Sequence, residues 1–311
     1  MAIEKVNIVG MGALGLLFGT AMAKSKGVSV SYVMDEDRLE RHKKDVYTVN
    51  GEIVHPCMIS KEEAKKRGPA DFVLLSVKFP GLDSALNTME TSVGENTILL
   101  SVMNGIDSPG MLADRFGEEK VLYSVAQGMD AQRYGSSLKF SVRGQLNIGV
   151  PKDSAYKEVL EKKLDEVCVF FDRVGIVYVR EKDIVRRMWS KLMLNVGINQ
   201  VCMVYNISYG EALKEGSEAF AMVVAAMREV CVVARQKGID IGENDIAEYI
   251  TILKTLSPTA RPSMGQDRLE KRQSEVEMFA GTINRLGKEL QIVTPVNEYL
   301  YRRVKEIEAE Y

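Results

Sequence analysis

Lys191, Asn195 and Asn199 stand four residues apart within a stretch of helix formers running from Ile184 to Tyr205. Residues at i, i+4 and i+8 share one face of an α-helix, so the spacing predicts one stripe carrying an ammonium and two carboxamides. Around them lie Leu192, Met193, Leu194, Val196, Ile198, Val201, Met203 and Val204. A helix apolar on nearly every other side is expected to be buried, and its polar stripe then needs partners from the protein or from a ligand. Both sources stay open at this point. A lysine at the edge of an apolar cleft has its pKa lowered and can serve as a proton donor. The chain has only two histidines, His42 and His55, both early in the sequence. A Ser-His-Asp triad or multi-histidine metal site has no others to use. Lys191 is therefore the leading proton donor of the C-terminal half, and no metal is expected.

A second polar grouping is Arg261-Pro262-Ser263-Met264-Gly265-Gln266-Asp267, continuing to Glu275. Ser263 with Gln266 matches a capping box, which predicts a helix N-cap at Ser263; the same geometry exposes N–H groups suited to a substrate carboxylate. On one continuous helix Glu275 would lie about 18 Å further along, so the two residues are expected to reach opposite ends of a substrate and cofactor pair.

The first forty residues carry a third signal. The apolar run Val6-Asn7-Ile8-Val9 leads into Gly10-Met11-Gly12-Ala13-Leu14-Gly15, then helix formers to Lys24, then an alternating run from Val28 to Met34. Strand, glycine turn, helix, strand is the context a dinucleotide-binding G-x-G-x-x-G requires. Gly10 permits the tight turn, Gly12 lets backbone approach a pyrophosphate, and Gly15 lets helix and strand pack closely. An acidic residue about 20 positions past the last glycine usually pairs with the ribose 2′-hydroxyl and repels a 2′-phosphate. Asp35 holds that position and favours NADH, while the nearby Arg38, Arg41, Lys43 and Lys44 are cations able to meet a phosphate.

These groups need elements to position them. Asp71–Val77, ending in Lys78, and Thr97–Met103, ending in Asn104-Gly105, read as buried parallel strands, with Val121–Ala126 a third. Ligands gather at the carboxyl ends of such strands, which puts Lys78, Asn104 and Gly105 near cofactor or substrate. Gln132–Val150 reads as antiparallel hairpin strands added to the sheet, followed by a helix at Ala155–Arg173 and a last strand at Ile176–Val179. Beyond about Glu181 helical periods take over, at 184–205, 210–237, 244–255, 266–286 and 295–310. The expected fold class is α/β: a Rossmann-type parallel-sheet domain over residues 1–181, then an all-helical substrate and catalytic domain over 182–311.

Composition excludes other classes. The chain of 311 residues is 46% hydrophobic and 27% charged, as in globular proteins. Its net charge of −2 gives no electrostatic footprint for nucleic acid. The longest apolar run, Ala219–Met227, is far short of the ~20 residues that span a bilayer. Cys57, Cys168, Cys202 and Cys231 are scattered, without the pairing of a disulfide scaffold or thiolate metal site. The N-terminus has no basic n-region or cleavage site, so a cytoplasmic location is expected.

The chain resembles the ketopantoate reductases (2-dehydropantoate 2-reductases) over nearly its whole length. The resemblance rests on the glycine turn, Ser76-Val77-Lys78, Asn104-Gly105, Lys191-Leu192-Met193-Leu194-Asn195 with Asn199, and Ser263–Asp267 with Glu275. It implies NADPH-dependent reduction of 2-dehydropantoate to pantoate, a step towards pantothenate and coenzyme A. It further implies Lys191 as proton donor, Asn195, Asn199 and Ser263 at the substrate, and Lys78, Asn104, Ala131 and Glu275 at the cofactor, Asn104 also near the substrate. Three positions depart from the family pattern: Asp35 where an arginine commonly meets the 2′-phosphate, Tyr209 where some members place a substrate-binding asparagine, and Met103 in place of a glutamine. The resemblance and Asp35 thus point to NADP(H) and NAD(H) respectively. A homodimer is the assembly expected. Three other readings stay open: a paralogous reductase of another 2-oxo acid, a 3-hydroxyacid dehydrogenase, and a non-catalytic dinucleotide-binding protein.

Overall fold

The computed structural model describes residues 2–311 and divides into two compact units. The first runs to Met103 and resumes over Ser108–Ile184; the second comprises Asn104–Asp107 and Val185–Tyr311.

The first unit begins with β1 (Lys5–Val9), α1 (Ala13–Ala23), β2 (Ser29–Met34) and α2 (Glu36–His42). There follow three short strands, β3 (Tyr47–Val49), β4 (Glu52–Val54) and β5 (Met58–Ser60), and α3 (Lys61–Arg67). Then come β6 (Phe72–Leu75), α4 (Leu82–Met89), β7 (Ile98–Ser101), α5 (Ser108–Phe116) and β8 (Val121–Met129). β9 (Gln132–Tyr134), β10 (Ser137–Lys139), β11 (Arg143–Gly149), α6 (Lys157–Val174) and β12 (Tyr178–Arg180) complete it.

Eight strands form one sheet in the order β12-β11-β8-β7-β6-β1-β2-β5. From β5 to β8 all neighbours are parallel; β11 pairs antiparallel with β8 and parallel with β12. Strands buried on both faces read as continuous apolar runs, and Phe72, Val73, Leu74 and Leu75 each have no exposed surface. Phe72 packs on Phe170 and Phe171 of α6, ring centroids 5.8 and 6.2 Å away. The chain leaves β1 towards β2 on one side and returns to β6 on the other, so the carboxyl ends of β1 and β6 flank a topological switch point, where such sheets bind ligands.

The sequence expectation needs one correction here. Of the strands expected within Gln132–Val150, only β11 joins the main sheet; β9 and β10 belong to a separate four-stranded sheet, β4-β3-β10-β9. The partner missing from the expectation was the hairpin β3–β4, joined by a turn at Asn50-Gly51, both with positive φ.

The second unit is helical: α7 (Ile184–Tyr205), α8 (Tyr209–Ala212), α9 (Glu218–Gln236), α10 (Glu243–Lys254), α11 (Ser263–Leu269), α12 (Ala280–Glu289) and α13 (Pro295–Glu308). α7 is deeply buried, with Leu192, Met193, Val196, Ile198, Val201, Cys202 and Met203 all at 1% exposure or less. Gly197 lets α9 approach closely: a Cβ there would lie 2.7 Å from Met227 and 3.1 Å from the Val223 carbonyl.

Two expected helices are broken. The stretch 210–237 is interrupted between Ala212 and Glu218, with positive φ at Gly216. The stretch 266–286 ends at Leu269 and resumes only at Ala280. Asp267 accepts from the Arg272 backbone at 2.8 Å and from its side chain at 3.0 Å, and Lys271 takes the left-handed conformation at φ 50°. The chain therefore reverses instead of continuing.

Candidate active site

In the first unit the site begins where β1 ends. Gly10 has φ 104°, and Gly15 sits where a Cβ would lie 2.1 Å from the Gly10 carbonyl. Gly12 is the N-cap of α1 and contributes no side-chain cap, and the first helical turn has no acidic residue. A Cβ on Gly12 would meet nothing nearer than the Ser76 carbonyl at 3.8 Å. The N–H groups of α1 are thus uncapped by side chains and open to an approaching anion, the arrangement a dinucleotide pyrophosphate fits. A cavity lined by Gly10, Met11, Tyr32, Asp35, Arg38 and Ser84 continues from this turn along the end of β2. Asp35 is the N-cap of α2: its Oδ1 accepts from the Arg38 N–H at 2.7 Å, which fixes the carboxylate at the cavity wall. Lys78, exposed, opens the short turn Phe79–Gly81 after β6, and Ala131 lies between β8 and β9.

In the second unit, Lys191 Nζ donates to Asn104 Oδ1 at 2.7 Å, and Asn104 Nδ2 donates to Glu275 Oε2 at 2.9 Å. Asn104 is thereby oriented by charge at both ends, oxygen to the ammonium and nitrogen to the carboxylate. Part of the Lys191 side chain reaches the surface, but the ammonium is enclosed, and burial pushes its pKa from 10.5 down to about 8. The Glu275 carboxylate opposes that fall, and the Arg187 guanidinium adds to it. One turn beyond Lys191, Asn195 is only 7% exposed and has no hydrogen-bond partner among the described residues. A further turn on, Asn199, 6% exposed, donates to Ser263 Oγ at 3.3 Å.

Distant residues brace these groups. Gly105 has φ 83°, and a Cβ there would stand 3.1 Å from Met278, so the turn carrying Asn104 requires glycine. Asp107 fixes the same turn, accepting from Thr282 Oγ1 at 2.6 Å and from Arg285 at 2.7 Å. Glu308 holds Ser274, beside Glu275, through the Ser274 N–H at 2.7 Å and Oγ at 2.6 Å.

Two expectations from the sequence are corrected by this geometry. Ser263 is not an N-cap: Pro262 takes that position, Ser263 is the first residue of α11, and its hydroxyl meets Asn199 instead. Nor does Glu275 lie further along Ser263's helix, since α11 ends at Leu269 and Glu275 follows the reversal. Tyr209 heads α8 through its N–H to the Ala260 carbonyl at 3.0 Å; it lies near Cys202, and burial pushes its phenol up to about 12. Sequence reasoning missed Arg187, although it extends the Lys191 stripe by the same four-residue step. It also missed Asp107 and Glu308, for which no local pattern exists.

An uncapped glycine turn at a sheet switch point, in one chain with a buried lysine in a helical unit, is the make-up of dinucleotide-dependent oxidoreductases. Residues 6–153 match the family description "Ketopantoate reductase PanE/ApbA", and residues 183–308 match "Ketopantoate reductase PanE/ApbA C terminal". The chain belongs to this family of NAD(P)-dependent oxidoreductases. The 2-dehydropantoate 2-reductase of Streptococcus pyogenes serotype M3 (strain ATCC BAA-595 / MGAS315) is 23% identical over 295 residues, 93% of each chain. The fold is shared with a PanE/ApbA family ketopantoate reductase from Ralstonia eutropha JMP134, at TM-score 0.82 and 23% identity over 99% of both chains. It is shared equally with a D-mandelate dehydrogenase in ternary complex with NADH and anilino(oxo)acetate, at TM-score 0.83 and 23% identity over 99% of both chains. No helix among the described residues is long and apolar enough to cross a membrane.

Proposed function

We propose that this protein reduces a 2-oxo acid with NAD(P)H, ketopantoate being the first substrate to test, and that Lys191 supplies the proton. The observation carrying this reading is the Lys191–Asn104–Glu275 chain, with the buried Asn195 carboxamide, unpartnered among the described residues, one turn away on the same helix face. When bound, the reduced nicotinamide supplies the hydride to the keto carbon. Lys191, protonated, polarises the carbonyl oxygen and gives it a proton as negative charge develops there. Asn104 holds the ammonium in place and Glu275 holds Asn104. Asn195 and Asn199 orient the substrate's oxygen groups, Ser263 its carboxylate, and Tyr209 is a further substrate-binding residue. Gly10, Met11, Gly12, Ala13, Leu14 and Gly15, with Asp35, Lys78 and Ala131, hold the cofactor, and Asn104 and Glu275 are assigned to it as well.

A donor must be protonated, so the lowered pKa of Lys191 sets a pH limit. Reduction is expected to be constant below about pH 8 and to fall through and above it as Lys191 loses its proton. The reverse oxidation is expected to rise over the same range. Profiles of kcat/KM in both directions check this; a reduction rate still flat two units above pH 8 contradicts it.

One observation favours a particular cofactor. Asp35 at the cavity wall favours NADH over NADPH, and NADH is what the similar D-mandelate dehydrogenase binds. That enzyme's name also points to 2-oxo acids with other side chains. Initial rates on ketopantoate and a series of 2-oxo acids, each with NADH and NADPH, test both readings. Absence of turnover with every 2-oxo acid would reject the function itself. Asp35→Ser keeps an N-cap for α2 while removing the charge. It is expected to shift the NADH/NADPH ratio of kcat/KM towards NADPH by roughly tenfold, since like-charge repulsion of a 2′-phosphate is lost. An unchanged ratio would mean that Asp35 is only a cap.

A further inference from the structure

We propose that Arg133 is the cation that receives the pyrophosphate of the bound dinucleotide, an inference that rests on the cofactor use proposed above. The turn from Gly10 to Gly15 contains no charged side chain. A helix N-terminus offers only about half a positive charge, whereas a pyrophosphate brings two negative ones. Any further positive charge comes from outside the turn.

Arg133 supplies it from the small sheet. It lies on β9, paired across to Leu138 of β10, and Leu138 is fully buried in the core that also contains Leu16 and Leu17 of α1. This packing sets β9 against the glycine turn. One guanidinium nitrogen of Arg133 donates to the carbonyl of Met11, in the middle of the turn. Nε donates to the Gly135 carbonyl at 2.7 Å, and the guanidinium lies 5.8 Å from the ring centroid of Tyr47, which is only 2% exposed. Two carbonyls and the Tyr47 hydroxyl engage part of its five N–H donors, and it makes no ion pair among the described residues. A half-buried guanidinium held by Tyr47 and two carbonyls, with the Asp45 carboxylate reaching only the Tyr47 hydroxyl and no direct ion pair among the described residues, is a ready fork for a phosphate. The separate four-stranded sheet thereby carries a fixed charge to a turn that has no charged side chain of its own.

The competing role is a brace, in which Arg133 only holds the Met11 peptide in place. Dissociation constants for NADH, ADP-ribose and adenosine, measured by calorimetry on the full-length protein, separate the two. The variants are Arg133→Lys, Arg133→Gln and Arg133→Met. If Arg133 meets the pyrophosphate, Gln and Met weaken NADH and ADP-ribose by about tenfold or more. Adenosine, which lacks phosphate, then binds as before, and Lys falls between. The salt dependence of NADH binding should also flatten in Gln and Met. Gln binding ADP-ribose as wild type does would overturn the proposal, because a neutral donor to Met11 then suffices. Equal losses for adenosine and ADP-ribose would overturn it too, by showing a displaced turn. Should the Met variant not fold, the Lys and Gln pair carries the same comparison. A wild-type protein that binds no dinucleotide would instead reject the cofactor reading beneath it.

Discussion

Lys191→Ala is expected to lower kcat for 2-oxo acid reduction roughly a thousandfold, the scale of losing a positioned general acid, while the dissociation constant for reduced cofactor stays near the wild-type value. The asymmetry follows from position. Lys191 bonds to Asn104 Oδ1, and it stands on the stripe with Asn195 and Asn199, not on the glycine turn. The ammonium acts on charge that appears only as the carbonyl is reduced, so its removal raises the barrier more than it weakens ground-state binding. Steady-state kinetics with cofactor titration on the same preparation checks both halves. A variant losing cofactor affinity and kcat in equal measure would show that Lys191 is a binding group.

Gly10→Ala is expected to have the largest effect on stability, roughly 3 kcal/mol or more, from overpacking combined with a strained backbone. Its Cβ would lie 2.0 Å from the Ser76 carbonyl oxygen and 2.7 Å from Val77 Cγ1, at a residue whose φ is 104°. The obstructing carbonyl cannot easily move, because Ser76 donates its own N–H to Val9 at 2.8 Å, at the junction of β1 and β6. Gly12→Ala makes the informative contrast. Its Cβ meets only the Ser76 carbonyl at 3.8 Å, so folding should be untouched while dinucleotide affinity drops. Thermal denaturation and cofactor titration of the two variants separate a glycine needed by the turn from one needed by the ligand. Equal melting temperatures for both variants would contradict this division.

Much of this architecture is visible in local pattern. The strand–turn–helix–strand order at the N-terminus needs only hydrophobic runs and glycine spacing, and it gives β1, α1 and β2 where expected. The helical period from Ile184 to Tyr205 matches α7 at both ends, because one long buried helix imposes its pattern on every residue. The four-stranded sheet was not legible as a unit. Its strands are three residues long, and β3 meets β10 through Thr48 opposite Ser137, a pairing no local signal encodes. The break after α11 was hidden for a related reason. The sequence from Gln266 to Leu286 suits a helix, but Asp267 with Arg272 and Glu308 with Ser274 impose tertiary contacts that override propensity. At the candidate site, the stripe of Lys191, Asn195 and Asn199 is local and was readable. That Asn104 would bridge Lys191 and Glu275, across 87 and 171 residues of chain, could only come from the fold.

The central claim is that a proton, and not merely a positive charge, comes from the side chain at position 191. Turnover of Lys191→Ala measured in rising methylammonium, beside equal concentrations of tetramethylammonium, addresses it directly. The prediction is a rate that climbs with methylammonium and not with tetramethylammonium, which carries the charge but has no proton to give. Equal stimulation by both ions, or undiminished turnover in the variant without either, would contradict it.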